Sequence, residues 1–206
     1  IKEAYNPNLL IDKEFSRKTA KLVQENIKMG EIKSNLQIYE INEDTIKKIE
    51  DTTVSDIEKV FNLLKSIKNT VSTQSNDHPY LISIGERVEN ISLLFKQRQI
   101  DTKETLENLK DIIKKINSAK QEEINKQMSS EIFSVYWILK NENIEQAEEI
   151  AKNMNEIFLE YPYWKTNGEQ ERKIKEELYN VLIKNKLNTK EVVEIGTKLI
   201  NILKKG

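Results

Sequence analysis

Apolar residues recur at intervals of three and four along almost the whole chain, and only three Pro and five Gly interrupt them. That period puts one side chain per turn on the same face of an α-helix, so it predicts amphipathic helices packed face to face. The expected fold is all-α, an irregular helical bundle of about eight or nine helices. Residues 1–41 read as a connecting arm, or a first helix plus linker, and 42–206 as the helical bundle domain. In Leu36-Gln37-Ile38-Tyr39-Glu40-Ile41 the alternation suits a short extended segment as well as a helix. The aromatic and β-branched content of Ser130 to Leu139 is compatible with a strand, but helix is the stronger reading.

The first helix is expected from Asp12, with Phe15, Thr19, Leu22, Val23 and Ile27 on one face and Gly30 as its left-handed stop. Asn42 is expected to cap a short helix over Thr45 to Glu50. Ser55-Asp56-Ile57-Glu58 and Asp101-Thr102-Lys103-Glu104 both have capping-box spacing. Pro79 suits a first helical turn, Asn143 is expected to cap the helix through Ala147 and Phe158, and Asn167 and Gln170 reopen helical structure after the Pro162 break.

The residue types limit the chemistry. Phosphate-cradling loops need clustered Gly, and Gly30, Gly85, Gly168, Gly196 and Gly206 are never neighbours, so neither a Walker A loop nor a dinucleotide fingerprint is present. With no Cys and one His, disulfides and thiolate zinc sites are excluded and a reducing cytoplasm is the expected compartment. A nucleophile–His arrangement would have to use His78, which reads as a solvated turn residue between Asp77 and Pro79. The pairs Glu122-Glu123, Glu148-Glu149 and Glu176-Glu177 read as solvated faces, because successive helical residues point in different directions. The 33 basic residues nearly cancel the 34 acidic ones, so there is no global field to attract nucleic acid. No apolar run approaches the ~20 residues of a membrane span. The opening Ile1-Lys2-Glu3-Ala4, without Met or a signal segment, reads as a fragment of a chain that extends upstream.

Two local features invite contact with a partner. Lys110, Lys114, Lys115 and Lys120 punctuate one long helix and could face a phosphate backbone, although Glu104, Glu107 and Asp111 dilute them and a solvated face is the stronger reading. Tyr161, Tyr163, Trp164, Lys165 and Arg172 combine aromatics with cations at a helix junction, as interface hot spots often do, although core packing at a bend is the stronger reading, because Trp and Tyr commonly plug such corners.

Several segments, taken in order, resemble a known family. They are Leu36-Gln37-Ile38-Tyr39-Glu40-Ile41-Asn42-Glu43-Asp44-Thr45, Val60-Phe61-Asn62-Leu63-Leu64-Lys65-Ser66-Ile67 and Pro79-Tyr80-Leu81-Ile82-Ser83-Ile84-Gly85-Glu86-Arg87. Phe95-Lys96-Gln97-Arg98-Gln99, Ile144-Glu145-Gln146-Ala147-Glu148-Glu149-Ile150 and Phe158-Leu159-Glu160-Tyr161-Pro162-Tyr163-Trp164 continue the series. Together they resemble the C-terminal helical region of the restriction (R, motor) subunit of type I restriction-modification enzymes. The resemblance implies a parent with a Mg-dependent nuclease and two ATP-driven motor domains, a site-specific deoxyribonuclease with DNA-dependent translocase activity. It also implies that this part is a noncatalytic assembly domain without a cofactor of its own. Its implied partners are the methyltransferase and specificity subunits and the motor domains of the same polypeptide. Contact with DNA, a generic helical protein-interaction domain and an enzyme using paired carboxylates stand as alternatives.

Overall fold

The computed structural model describes residues 36–206 and, ahead of them, only Lys21 and Gln24. Phe15, Thr19, Leu22, Val23, Ile27 and Gly30, the residues of the expected first helix, therefore lie outside the described residues. Among the described residues the chain is all-α, with no strand. Eight helices lie among the described residues: α1 (Thr45–Glu50), α2 (Asp56–Gln74), α3 (Tyr80–Lys96), α4 (Thr102–Lys126), α5 (Ser130–Asn141), α6 (Ala147–Glu160), α7 (Gly168–Lys184) and α8 (Thr189–Lys205). No described helix is long and apolar enough to cross a membrane.

The sequence draws one body over 42–206, whereas the contacts gather the described residues into two compact units. Unit 1 takes those through Ser75 together with Leu81–Glu122, and unit 2 takes Asn76–Tyr80 and Glu123–Gly206.

In unit 1, the Ser55 side chain accepts from the Glu58 amide and the Glu58 carboxylate accepts from the Ser55 amide, the reciprocal pairing that the spacing predicts. Val60, Phe61, Leu64 and Ile67 follow at helical intervals and are fully buried. Phe61 meets Phe95 of α3 edge to face with centroids 6.2 Å apart. At the start of α4 the Asp101 carboxylate accepts from the Glu104 amide at 2.8 Å, and Leu106, Leu109, Ile112, Ile113, Ile116 and Ala119 are buried along one stripe. Asn42 acts one step ahead of its expected role. It folds the turn before α1 by accepting from the Asp44 amide, and Asp44 is the cap residue.

The 36–41 segment is neither helix nor sheet strand. It lies against α2, with the amides of Gln37 and Tyr39 donating to Asn62 Oδ1 and Ser66 Oγ, both at 2.8 Å. Its alternation has a physical basis in those bonds, because N–H groups two residues apart in an extended chain point to the same side.

Unit 2 has a closed order of helix contacts: α5 meets α6, α6 meets α7, α7 meets α8, and α8 returns to α5. Within α5 every residue from Ile132 to Leu139 is buried, the environment in which a helix that is apolar all round belongs. The strand reading of this segment fails because burial on all sides accepts its aromatics and β-branched residues in a helix. Asn143 has a positive φ of 60°, so it ends α5 in the left-handed region and does not cap α6, whose cap residue is Gln146. Asn167 caps α7 as expected, and Asn188 with Glu191 forms a capping box on α8 that the sequence reading passed over.

Gly196 lets α8 approach α7. A Cβ there would lie 2.8 Å from Tyr179 Cδ1 and closer still to the neighbouring ring carbon. The ring is held on both sides, by its hydroxyl 3.1 Å from Thr197 Oγ1 and by Lys175 Nζ 5.6 Å from its centroid. Gly196→Ala gains about 1 kcal/mol of helix propensity and loses about 1–3 kcal/mol to overlap. The overlap wins because the ring cannot swing away freely, so urea unfolding should show a net loss of up to about 2 kcal/mol.

Candidate functional site

The aromatic turn between α6 and α7 sorts its residues by burial. Trp164 is only 2% exposed and stacks on Phe158 of α6, with centroids 5.6 Å apart and planes 13° apart. It is a core residue, which rules it out as a direct contact. Lys165 Nζ lies 5.9 Å from the Trp164 ring and 3.4 Å from Glu131 Oε1, tying the turn to the first turn of α5. The Tyr163 carbonyl accepts from the amides of Thr166 and Asn167, and its own amide donates to Gln170 Oε1 at 2.8 Å. With its backbone fixed in this way, the Tyr163 side chain is 69% exposed, and Leu159 on the last turn of α6 is 74% exposed. The Tyr161 phenol is pushed up from its ordinary pKa by its hydrogen bond to Glu160. Arg172 is exposed, and its Nε donates to the Gly168 carbonyl one turn back.

The Lys face of α4 is less available than its sequence suggests. Lys110 is largely covered and holds Glu50 of α1 at 2.8 Å and Glu107 at 2.9 Å. Its hydrogen bond to Glu50 leads the effects that hold its ammonium above the ordinary range, and the same bond lowers the Glu50 carboxyl. Lys114 pairs with Asp111 at 3.0 Å, while Lys115 is exposed. Two of these three cations therefore carry an acidic partner.

The sequence reading missed a polar cluster in unit 2. Glu123 is 11% exposed at its side chain and accepts from His78 Nδ1 at 2.9 Å, the Tyr80 hydroxyl at 3.3 Å and the Ser130 hydroxyl at 2.7 Å. His78 is therefore bound to a carboxylate rather than a plain solvated turn residue, and Glu123 leaves the solvated-face class. A carboxylate acceptor requires the proton on Nδ1, which fixes the imidazole tautomer when the ring is neutral. Tyr80 is fully buried, its amide donates to Ser134 Oγ at 3.0 Å, and its ring meets Phe133 at 5.2 Å. The Tyr80 and Ser130 hydroxyls both bind this carboxylate, and together with the Tyr80 amide on Ser134 the cluster pins residues 78–80 to α5. One signal in the sequence marks Glu123: the stripe through Ile112, Ile116 and Ala119, carried four residues further, lands on it.

Burial, followed by the charge and hydrogen bond of Glu123, raises the Tyr80 pKa above its ordinary 10.0. A phenol harder to ionise in the folded state contributes stability that is complete below pH 10 and declines as the unfolded phenol ionises above it. Stability should therefore fall as pH rises beyond about 10, by up to about 1.4 kcal/mol per pH unit from this group. Urea midpoints of wild type and Tyr80→Phe between pH 8 and 11 test this, and the variant should show the shallower decline. Glu148 of the second acidic pair is held down to about 2 by hydrogen bonds from Lys126 and Lys152.

No protein-family model matches this chain, and no curated protein or solved structure shows significant similarity to it.

Proposed function

We propose that this chain is a noncatalytic assembly domain of a type I restriction enzyme R subunit. In this reading it docks the ATP-dependent motor and nuclease onto the methyltransferase and specificity core in the cytoplasm. The observation that carries the reading is the exposed pair Leu159 and Tyr163, set on a turn that a buried Trp164 anchors. Exposed aromatic and aliphatic side chains on a rigid support lose little conformational entropy on binding, which is what an interface anchor needs. The same stretch, Phe158 to Trp164, is among the segments that resemble the family. The parent would use ATP and Mg in domains upstream, while this domain would supply contact.

Sedimentation of the chain mixed with the cognate methyltransferase and specificity complex tests the reading. A co-sedimenting species is expected, and Tyr163→Ala should weaken it about tenfold or more without unfolding the chain. A folded chain that stays free where the intact R subunit binds would overturn docking. Binding to duplex DNA that weakens as salt rises would assign the contact to the Lys-bearing α4 instead.

A further inference from the structure

We propose that residues 36–41 are a detachable strap, seated in one register on α2 and able to open while unit 1 stays folded. Asn62 and Ser66 stand four residues apart on α2 and receive N–H groups two residues apart on the strap. Four helical residues advance about 6.0 Å, and two extended residues advance about 6.6 Å. Chain and helix therefore run in step over these two rungs, and a shift of one residue would turn both donors away. Lys65 Nζ adds a third bond to the Leu36 carbonyl at 3.1 Å. At the far end the buried Thr45 hydroxyl donates to the Glu40 carbonyl, and the Asn42 amide donates to Thr45 Oγ1, both at 2.8 Å.

The seat is polar where a helix that faced the core permanently would be apolar. Asn62 and Ser66 are 4% and 0% exposed, in the same stretch as the fully buried Phe61, Leu63 and Leu64. The strap itself buries little: Gln37, Ile38 and Glu40 are exposed, Leu36 and Tyr39 are half-buried, and only Ile41 is buried. Opening would therefore expose groups that water can satisfy. Ser66 also donates to the Asn62 carbonyl at 2.7 Å, a bond within α2 that does not use the strap. Beneath it, the Phe61 to Phe95 contact does not involve the strap. Among the described residues the strap is held by a few hydrogen bonds and one apolar anchor, Ile41, and such a contact belongs at the low-stability end of a fold, where local opening precedes global unfolding. The strap belongs to unit 1 and the docking reading to unit 2, so either can fail alone.

Amide hydrogen exchange on the full chain tests this. In wild type the Tyr39 amide should be protected, yet exchange at least about ten times faster than that of Leu64. Gln37→Pro removes one rung, and with it the exposed bond from the Tyr39 hydroxyl to Gln37 Oε1, without touching α2, and its fixed φ suits an extended chain. It should speed exchange at Tyr39 by about tenfold, equivalent to one hydrogen bond, and leave Leu64 unchanged. Ser66→Ala, which removes the Tyr39 acceptor, should give the same pattern from the helix side. Tyr39 exchanging in step with Leu64 would make the segment an inseparable part of the core and overturn the proposal. Tyr39 exchanging at the free-chain rate in wild type would overturn it too, as would protection that rises with protein concentration, because the seat would then be filled by a second copy.

Discussion

Trp164→Ala is expected to destabilise unit 2 by about 3–5 kcal/mol, the range for deleting a buried aromatic, and to disable docking with it. The indole is 2% exposed and lies flat on Phe158, so truncation removes both faces of a stacked pair and leaves a cavity behind α6. Stacked rings add about 0.5–1.5 kcal/mol beyond their buried area. Lys165 loses the ring beneath it and keeps only a 3.4 Å pairing to Glu131 Oε1. The turn that presents Tyr163 then has less to hold it, and binding should fall further than Tyr163→Ala alone would cause. Trp164→Phe separates the roles. It restores a ring to stack on Phe158, so stability and binding should recover together in part. Urea unfolding and sedimentation on the same preparations read both effects.

Phe133→Ala should be as damaging for a different reason. Phe133 is fully buried on α5 and meets three rings, Tyr80 at 5.2 Å, Tyr136 at 5.8 Å and Trp137 at 6.1 Å. Removing it opens a void at the centre of that cluster, worth about 3–5 kcal/mol, against a total of about 5–15 kcal/mol for a typical domain. The loss also loosens the ring that orients Tyr80, whose hydroxyl reaches Glu123. Substantial unfolding at 37 °C is therefore expected, together with a lower urea midpoint. Phe133→Leu, which keeps most of the volume, should lose markedly less.

The helices were legible because apolar period and caps are local. Ser55 with Glu58 and Asn167 ahead of α7 are recognised within four residues, and the burial of Val60, Phe61, Leu64 and Ile67 follows from their spacing. Asn143 was misread because the same short amide side chain suits either a helix start or a left-handed stop, and the backbone angle that decides between them depends on the chain around it. His78 and Glu123 are 45 positions apart, so their pairing is invisible to any local window. Ambiguity in the 36–41 segment has a similar origin. An alternating stretch reads as a strand only if another strand supplies its hydrogen bonds, and here helix side chains supply them instead. At the aromatic turn the composition picks out the cluster but cannot sort its members by burial. Trp164 faces the core and Tyr163 does not, and that division depends on packing against Phe158.

Competition with the intact R subunit tests the docking account most directly. The chain is titrated into a reconstituted restriction complex while occupancy of the methyltransferase core by labelled R subunit and cleavage of target DNA are followed together. The account predicts that the chain displaces the R subunit and suppresses cleavage in parallel, and that Tyr163→Ala requires about ten times more protein for the same effect. A folded chain that leaves both signals unchanged at saturating concentration would contradict it.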